Sequence, residues 1–95
     1  MSGEEALCRR DVYYSGRVQG VGFRYTVASI ARDYEVTGYV RNLRDGRVEL
    51  VVEGAMPEIE HLLAAIADRM SGYIRGTEVK EPFPTGQFRE FDIRF

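Results

Sequence analysis

The run Gly16-Arg17-Val18-Gln19-Gly20-Val21-Gly22-Phe23-Arg24 constrains the fold of this chain more than any other stretch. Upstream of it the β-formers Val12, Tyr13 and Tyr14 predict a strand from Cys8 to Ser15, ending at Gly16. Downstream, Phe23, Val27, Ile30, Ala31 and Tyr34 recur at helical spacing and predict an amphipathic helix of about twelve residues. The loop from Gly16 to Gly22 therefore has to turn a strand into a helix within a few residues. Glycine gives it backbone conformations that a Cβ forbids.

The remainder of the chain continues the alternation of strand and helix. A second strand is predicted over Glu35 to Asn42, with Val36, Gly38, Val40 and Asn42 on one face and Thr37, Tyr39 and Arg41 on the other. Asp45-Gly46 marks a two-residue hairpin, after which Val48, Leu50 and Val52 alternate with Glu49 and Glu53 as far as Gly54. Pro57 opens a second helix, whose apolar stripe is Ile59, Leu62, Leu63, Ile66, Ala67 and Met70, with Gly72 as its terminator. Tyr73 to Lys80 predicts a fourth strand, Pro82, Pro84 and Gly86 a turn, and Phe88 to Phe95 a closing strand. The order β-α-β-β-α-β implies an α+β, ferredoxin-like split βαβ fold: an antiparallel sheet with two helices packed on one face. In its usual strand order, 4-1-3-2, strands one and two end at the same edge of the sheet, roughly 10 Å apart. Asn42, which ends strand two on the side of Val36 and Val40, then points into the helix layer beside the glycine loop and Arg24.

Size and charge narrow the functional classes. Ninety-five residues, 1–95, make a single domain, with residues 1–7 reading as a flexible charged tail. The net charge of −2 argues against a nucleic-acid module, and no apolar run approaches the ~18 residues of a membrane span. The acidic start Met1-Ser2-Gly3-Glu4-Glu5 is unlike a signal peptide. Cys8 is the sole cysteine, which excludes an internal disulfide and points to a reducing cytoplasm. Cys8 and His61, the only histidine, lie fifty-three residues apart and form no metal-ligand pattern, which leaves only a carboxylate site for magnesium or calcium, and no motif supports one.

A glycine loop entering a helix, with an arginine at the helix start, is suited to a phosphate-sized anion. Gly20 and Gly22 let the backbone turn its amides inward, the helix N-terminus adds partial positive charge, and Arg24 supplies a permanently charged fork. The loop has neither the lysine and hydroxyl of the nucleotide-binding P-loop nor the spacing of a dinucleotide fingerprint. The same spacing also suits a plain tight turn, and Asn42 also suits a turn or cap. The loop carries no cysteine or histidine, and Ser15 has no local base, so a covalent phospho-enzyme lacks a nucleophile. Catalysis would then rest on positioning and charge, which fits phosphoryl transfer from a good leaving group such as the carboxylate of an acyl phosphate. Asn42 would orient the attacking water. Elsewhere, His61 reads as a solvated surface residue and Cys8 as a small apolar filler, while Phe23, Tyr34, Tyr39, Phe88, Phe91 and Phe95 pack the core or cover the sheet. Arg9, Arg10, Arg41, Arg44 and Arg47 read as solvated charge, and Arg17 as an attractor of substrate. An RNA platform would need exposed aromatics and a basic face on the inner strands, and Arg47 to Glu53 offers neither.

Gly16 to Arg24, together with Gly38-Tyr39-Val40-Arg41-Asn42 and Asp45-Gly46, resembles the two signature blocks of the acylphosphatase family. Val48, Glu49, Glu53 and Gly54 continue the likeness, which is strong from Val12 to Gly54 and looser afterwards. Tyr39 stands where the family often has tryptophan, and Ser71 to Thr77 departs from the family pattern. A monomer is the expectation from size alone, and the resemblance implies a small cytoplasmic hydrolase that cleaves carboxyl–phosphate bonds without metal or cofactor. It matches Arg24 to the phosphate-binding arginine, Asn42 to the water-positioning asparagine, and Arg17, Val18, Gln19, Gly20, Val21 and Gly22 to the phosphate loop. Acetyl phosphate, carbamoyl phosphate, bisphosphoglycerate and aspartyl phosphate are the implied candidate substrates. The same domain occurs in larger hydrogenase-maturation proteins acting on carbamoyl phosphate, a role for which this chain is expected to be too short. The alternative reading is a non-catalytic phosphate-binding or partner module on the same scaffold.

Overall fold

Two periodicities in the sequence become two layers in the computed structural model, which describes residues 6–95. Most of the expected tail, residues 1–5, lies outside the described residues; Ala6 and Leu7 are exposed. The elements run β1 (Cys8–Gly16), α1 (Phe23–Ala31), β2 (Val36–Asn42), β3 (Val48–Gly54), α2 (Met56–Arg69), β4 (Ile74–Lys80) and β5 (Phe91–Arg94). Val12 and Tyr14 of β1, Val40 of β2 and Val48, Leu50 and Val52 of β3 form one apolar sheet face. It meets Phe23, Val27 and Ile30 of α1 and Ile59, Leu62 and Ile66 of α2 in a single core. α1 ends at Ala31 rather than Tyr34. Its apolar face continues as a turn, in which the Asp33 and Tyr34 amides donate to the carbonyls of Ile30 and Ala31, and Tyr34 still packs on the core. Ala67, placed on the α2 stripe from the sequence, is exposed.

The sheet has the order β4-β1-β3-β2-β5. The expected 4-1-3-2 arrangement is present, and β5 extends it along the outer edge of β2 as a parallel neighbour. The sheet is accordingly mixed rather than wholly antiparallel. This follows from the route of residues 81–90, which pass from β4 at one edge to β2 at the other across the face opposite the helices. Phe88 is drawn out of the closing strand to meet the Tyr39 ring edge-on at 5.8 Å, so β5 is shorter than the predicted Phe88–Phe95.

All of β3 is buried, including its two acids, and the crossing segment covers the Glu53 end. Glu53 is only 1 % exposed. Its carboxylate accepts hydrogen bonds from the Thr85 amide at 2.7 Å, the Thr85 hydroxyl at 3.1 Å and the Gly86 amide at 2.9 Å, and Arg9 approaches to 3.4 Å. Burial is the largest single influence on this carboxyl and favours its neutral form; the donors of Thr85 and Gly86 and the Arg9 charge together outweigh it and hold the pKa below the ordinary value. Arg9 is thus not the solvated charge its sequence context predicts, since it pairs with both Asp11 and Glu53. Glu49, likewise buried, accepts from Arg41 at 2.6 Å and from the Tyr13 hydroxyl at 3.1 Å. His61 is exposed, as expected, and lies near the Tyr34 ring.

The turn between β2 and β3 has three residues, not the two suggested by Asp45-Gly46. The Leu43 amide donates to Arg47 O at 2.8 Å, the Gly46 amide donates to Leu43 O at 3.2 Å, and Gly46 sits at φ 96°. A three-residue loop with glycine in the left-handed region is a standard hairpin solution. Its length sets the register, so that Asn42 lies opposite Val48. Directly opposed residues share a face. A two-residue turn centred on Asp45-Gly46 would have paired Asn42 with Glu49 and turned it to the other face.

Candidate active site

β1 and β2 run parallel on either side of β3, so their C-terminal ends reach the same edge of the sheet. At that edge a cleft of about 190 Å³ is lined by Val18, Gly20, Gly22, Phe23, Arg24, Tyr25 and Asn42. The two separated sequence blocks therefore meet at one solvent-open hollow.

The loop is shaped from below and from the side. Val18 is buried in the core and anchors the loop from beneath. Gly20 and Gly22 hold φ 78° and 76°, and Gly22 is the residue that caps α1. A Cβ at either position would meet no atom within 4 Å, so glycine is required for the left-handed backbone rather than for space. Among the described residues, no hydrogen bond engages the amides of Gln19 to Tyr25, whereas Thr26 N already donates to Gly22 O as the first helical bond. A helix start with unpaired amides and a net dipole is a favourable place for an anion.

Gln19 serves a different purpose through its side chain. Its Nε2 donates to Leu43 O at 2.8 Å and to Arg47 O at 2.9 Å. These are the carbonyls at the mouth of the hairpin, so the glycine loop is tied directly to the turn that presents Asn42. Arg17 is exposed at the loop start, and its amide donates to Tyr73 O. The Val21 side chain packs partly on the core.

Arg24 stands at the rim. Its Nη1 donates to Arg94 O at 3.1 Å, and its guanidinium lies 4.7 Å from the centroid of the Phe95 ring. The end of β5 thus braces the arginine, and Phe95, expected to pack or cover, is instead 91 % exposed. A guanidinium held over a ring retains most of its donors for an anion.

Asn42 is the most telling residue. Its Oδ1 is buried and has no hydrogen-bond partner among the described residues. Native proteins leave few buried polar atoms unpaired, because each costs about 1–3 kcal/mol. Here the orphan acceptor belongs to a residue lining the cleft, next to a loop whose amides are also unspent.

Tyr25 is not among the residues to which the sequence points. It lies on α1 opposite the Phe23–Val27–Ile30 stripe, lines the cleft and is 61 % exposed. The available signal was an aromatic next to Arg24 and off the apolar face of its helix. Among the described residues no group of three or more His, Cys, Asp or Glu is placed to hold a metal ion. No helix among them is long and apolar enough to cross a membrane.

The sequence and the fold both have counterparts among known proteins. The family model described as Acylphosphatase matches residues 10–93. An acylphosphatase of Trichormus variabilis is 50 % identical over 92 residues, covering 96 % of this chain and 90 % of its own, and one of Syntrophotalea carbinolica is 41 % identical over 88 residues, covering 92 % and 96 %. The crystal structure of acylphosphatase from Bacillus subtilis superposes with a TM-score of 0.83 at 29 % identity, over 95 % of this chain and 100 % of that one. The family match spans both sequence blocks, both helices and nearly all of the sheet that carries the cleft, and on these grounds the chain belongs to the acylphosphatase family of enzymes.

Proposed function

We propose that this protein hydrolyses the carboxyl–phosphate bond of small acyl phosphates, with the phosphoryl group held by the loop Arg17 to Gly22 and by Arg24, and the attacking water oriented by Asn42. The reaction is RCOO–PO₃²⁻ + H₂O → RCOO⁻ + H₂PO₄⁻: water oxygen bonds to phosphorus as the bond to the carboxyl oxygen breaks. Both water protons end on the phosphate, and the carboxylate leaves with the bonding pair. A carboxylate leaves without help from a strong acid, so the protein's task is positioning and charge stabilisation. The free amides of the glycine loop and the Arg24 fork would take the charge spread over the phosphoryl oxygens.

The observation that carries the reading is Asn42 Oδ1 at the cleft, buried and without a partner among the described residues. An acceptor left unsatisfied by the fold is suited to receive a hydrogen from a substrate water, aligning its lone pair toward phosphorus. Family membership and the cleft lining support the same assignment. No protein group is assigned as nucleophile, and no metal or cofactor enters the scheme. The protein acts in this reading as a single-domain cytoplasmic monomer on a small-molecule substrate.

The test is release of inorganic phosphate from acetyl phosphate and benzoyl phosphate, with and without chelator, by the wild type and by Arg24→Ala. Turnover unaffected by chelator, and lowered at least ~10²-fold in Arg24→Ala, is the expected result. Phosphate binding without turnover of either substrate would replace the enzyme by a non-catalytic phosphate module. Near-normal turnover in Arg24→Ala would remove that residue from the mechanism.

A further inference from the structure

The cleft, at about 190 Å³, is smaller than the ~300 Å³ at which pockets begin to enclose drug-sized ligands. On the reading above, the phosphoryl group and the attacking water occupy its inner part, beside the loop amides and Asn42, so an acyl group larger than acetyl extends to the rim. Of the cleft's own residues, the rim offers one large apolar surface. Tyr25 lines the cleft, yet 61 % of it faces solvent, and among the described residues it takes part in no aromatic pair, cation–π contact or side-chain hydrogen bond. The neighbouring aromatic of the rim, Phe95, already lies against the Arg24 guanidinium. An unpartnered ring on a regular helix, one residue from the phosphate-binding arginine, is a rigid surface with two rotatable bonds and little entropy to lose on contact.

We infer that Tyr25 is the acyl-group platform of this enzyme, so that flat, apolar acyl groups, aryl ones above all, are preferred over acetyl. This inference rests on the assignment of the cleft to acyl phosphate hydrolysis. The ring stacks on the acyl portion and leaves the phosphoryl chemistry to the loop, Arg24 and Asn42. It is a specificity determinant that meets the substrate but not the reacting bond.

The experiment compares kcat/KM for benzoyl phosphate with that for acetyl phosphate in the wild type, Tyr25→Ala and Tyr25→Phe. The benzoyl-over-acetyl ratio is expected to fall about threefold to tenfold in Tyr25→Ala, through a higher KM for benzoyl phosphate, and to be kept in Tyr25→Phe, which retains the ring. A structural role for the ring would lower turnover of both substrates together and leave the ratio unmoved, and that result overturns the inference. A ratio lost in Tyr25→Phe would move recognition from the ring to the hydroxyl and overturn it as well. If the wild type hydrolyses both substrates and the ratio is the same in all three proteins, only the platform is refuted. If the wild type hydrolyses neither, the assignment of the cleft fails, and the platform with it.

Discussion

Replacing Asn42 by alanine should damage catalysis and spare the fold. Oδ1 is a buried acceptor with no hydrogen-bond partner among the described residues, so truncation breaks no bond within the described protein and removes a group whose burial costs about 1–3 kcal/mol. The space left opens into the cleft rather than into a sealed core, so the ~2–5 kcal/mol penalty of a buried large-to-small change does not apply. Some packing of the Cγ amide group is lost, which offsets part of the gain. Asn42→Ala should therefore be as stable as the wild type, or more stable by up to about 1 kcal/mol, a rise of roughly 4–8 °C in Tm for a domain of this size. Turnover should fall about 10²-fold or more, because a misplaced water loses the alignment on which the reaction depends. Inhibition by inorganic phosphate should persist, since the loop amides and Arg24 are untouched. Urea unfolding at pH 7 and phosphate-release kinetics on the same preparations measure both halves. A variant destabilised by more than about 1.5 kcal/mol with turnover intact would refute the reasoning, because Oδ1 would then have a partner in the folded state and no part in catalysis.

Three further outcomes follow from the same geometry. Arg24→Lys keeps the charge but loses the planar fork that can grip two oxygens while bracing on Arg94 O, so turnover should drop at least ~10-fold in the phosphate-release assay. Gln19→Ala removes two hydrogen bonds to the hairpin carbonyls and should cost about 1–3 kcal/mol in urea unfolding, together with reduced turnover as the loop and Asn42 lose their tie. Glu53→Gln should cost about 1.5–3 kcal/mol at pH 7, since the donors of Thr85 and Gly86 lose a charged acceptor. The folded carboxyl titrates below its ordinary value near 4.5, so its stabilising effect is complete above that pH and is lost as pH falls through the folded value. The gap between wild type and variant should therefore close on acidification, and a gap of equal size at pH 7 and pH 3 would exclude the charged latch.

Local chemistry alone made the elements and one wall of the cleft readable. The spacing of Phe23, Val27 and Ile30, the alternation of Val48, Leu50 and Val52, and glycines in front of a helix are short-range signals, and each leads to the element it predicts. Such signals carry no record of which distant segment will cover a given face. Glu49 and Glu53 alternate like solvent-facing acids and are buried, because residues 81–90 return across the sheet to meet Glu53 while Arg41 and Tyr13 close over Glu49. β5 joins β2 for the same reason, at the end of that long return. The sequence by itself determined that a glycine loop, an arginine and an asparagine would be available at two strand ends. The parity of Val36, Val40 and Asn42 also pointed the asparagine toward the helix layer. Only the tertiary structure decided that a three-residue turn sets that register, that Gln19 ties its hairpin to the loop, and that Oδ1 has no partner among the described residues. Register and closure depend on contacts between residues far apart in the chain, and no local periodicity encodes them.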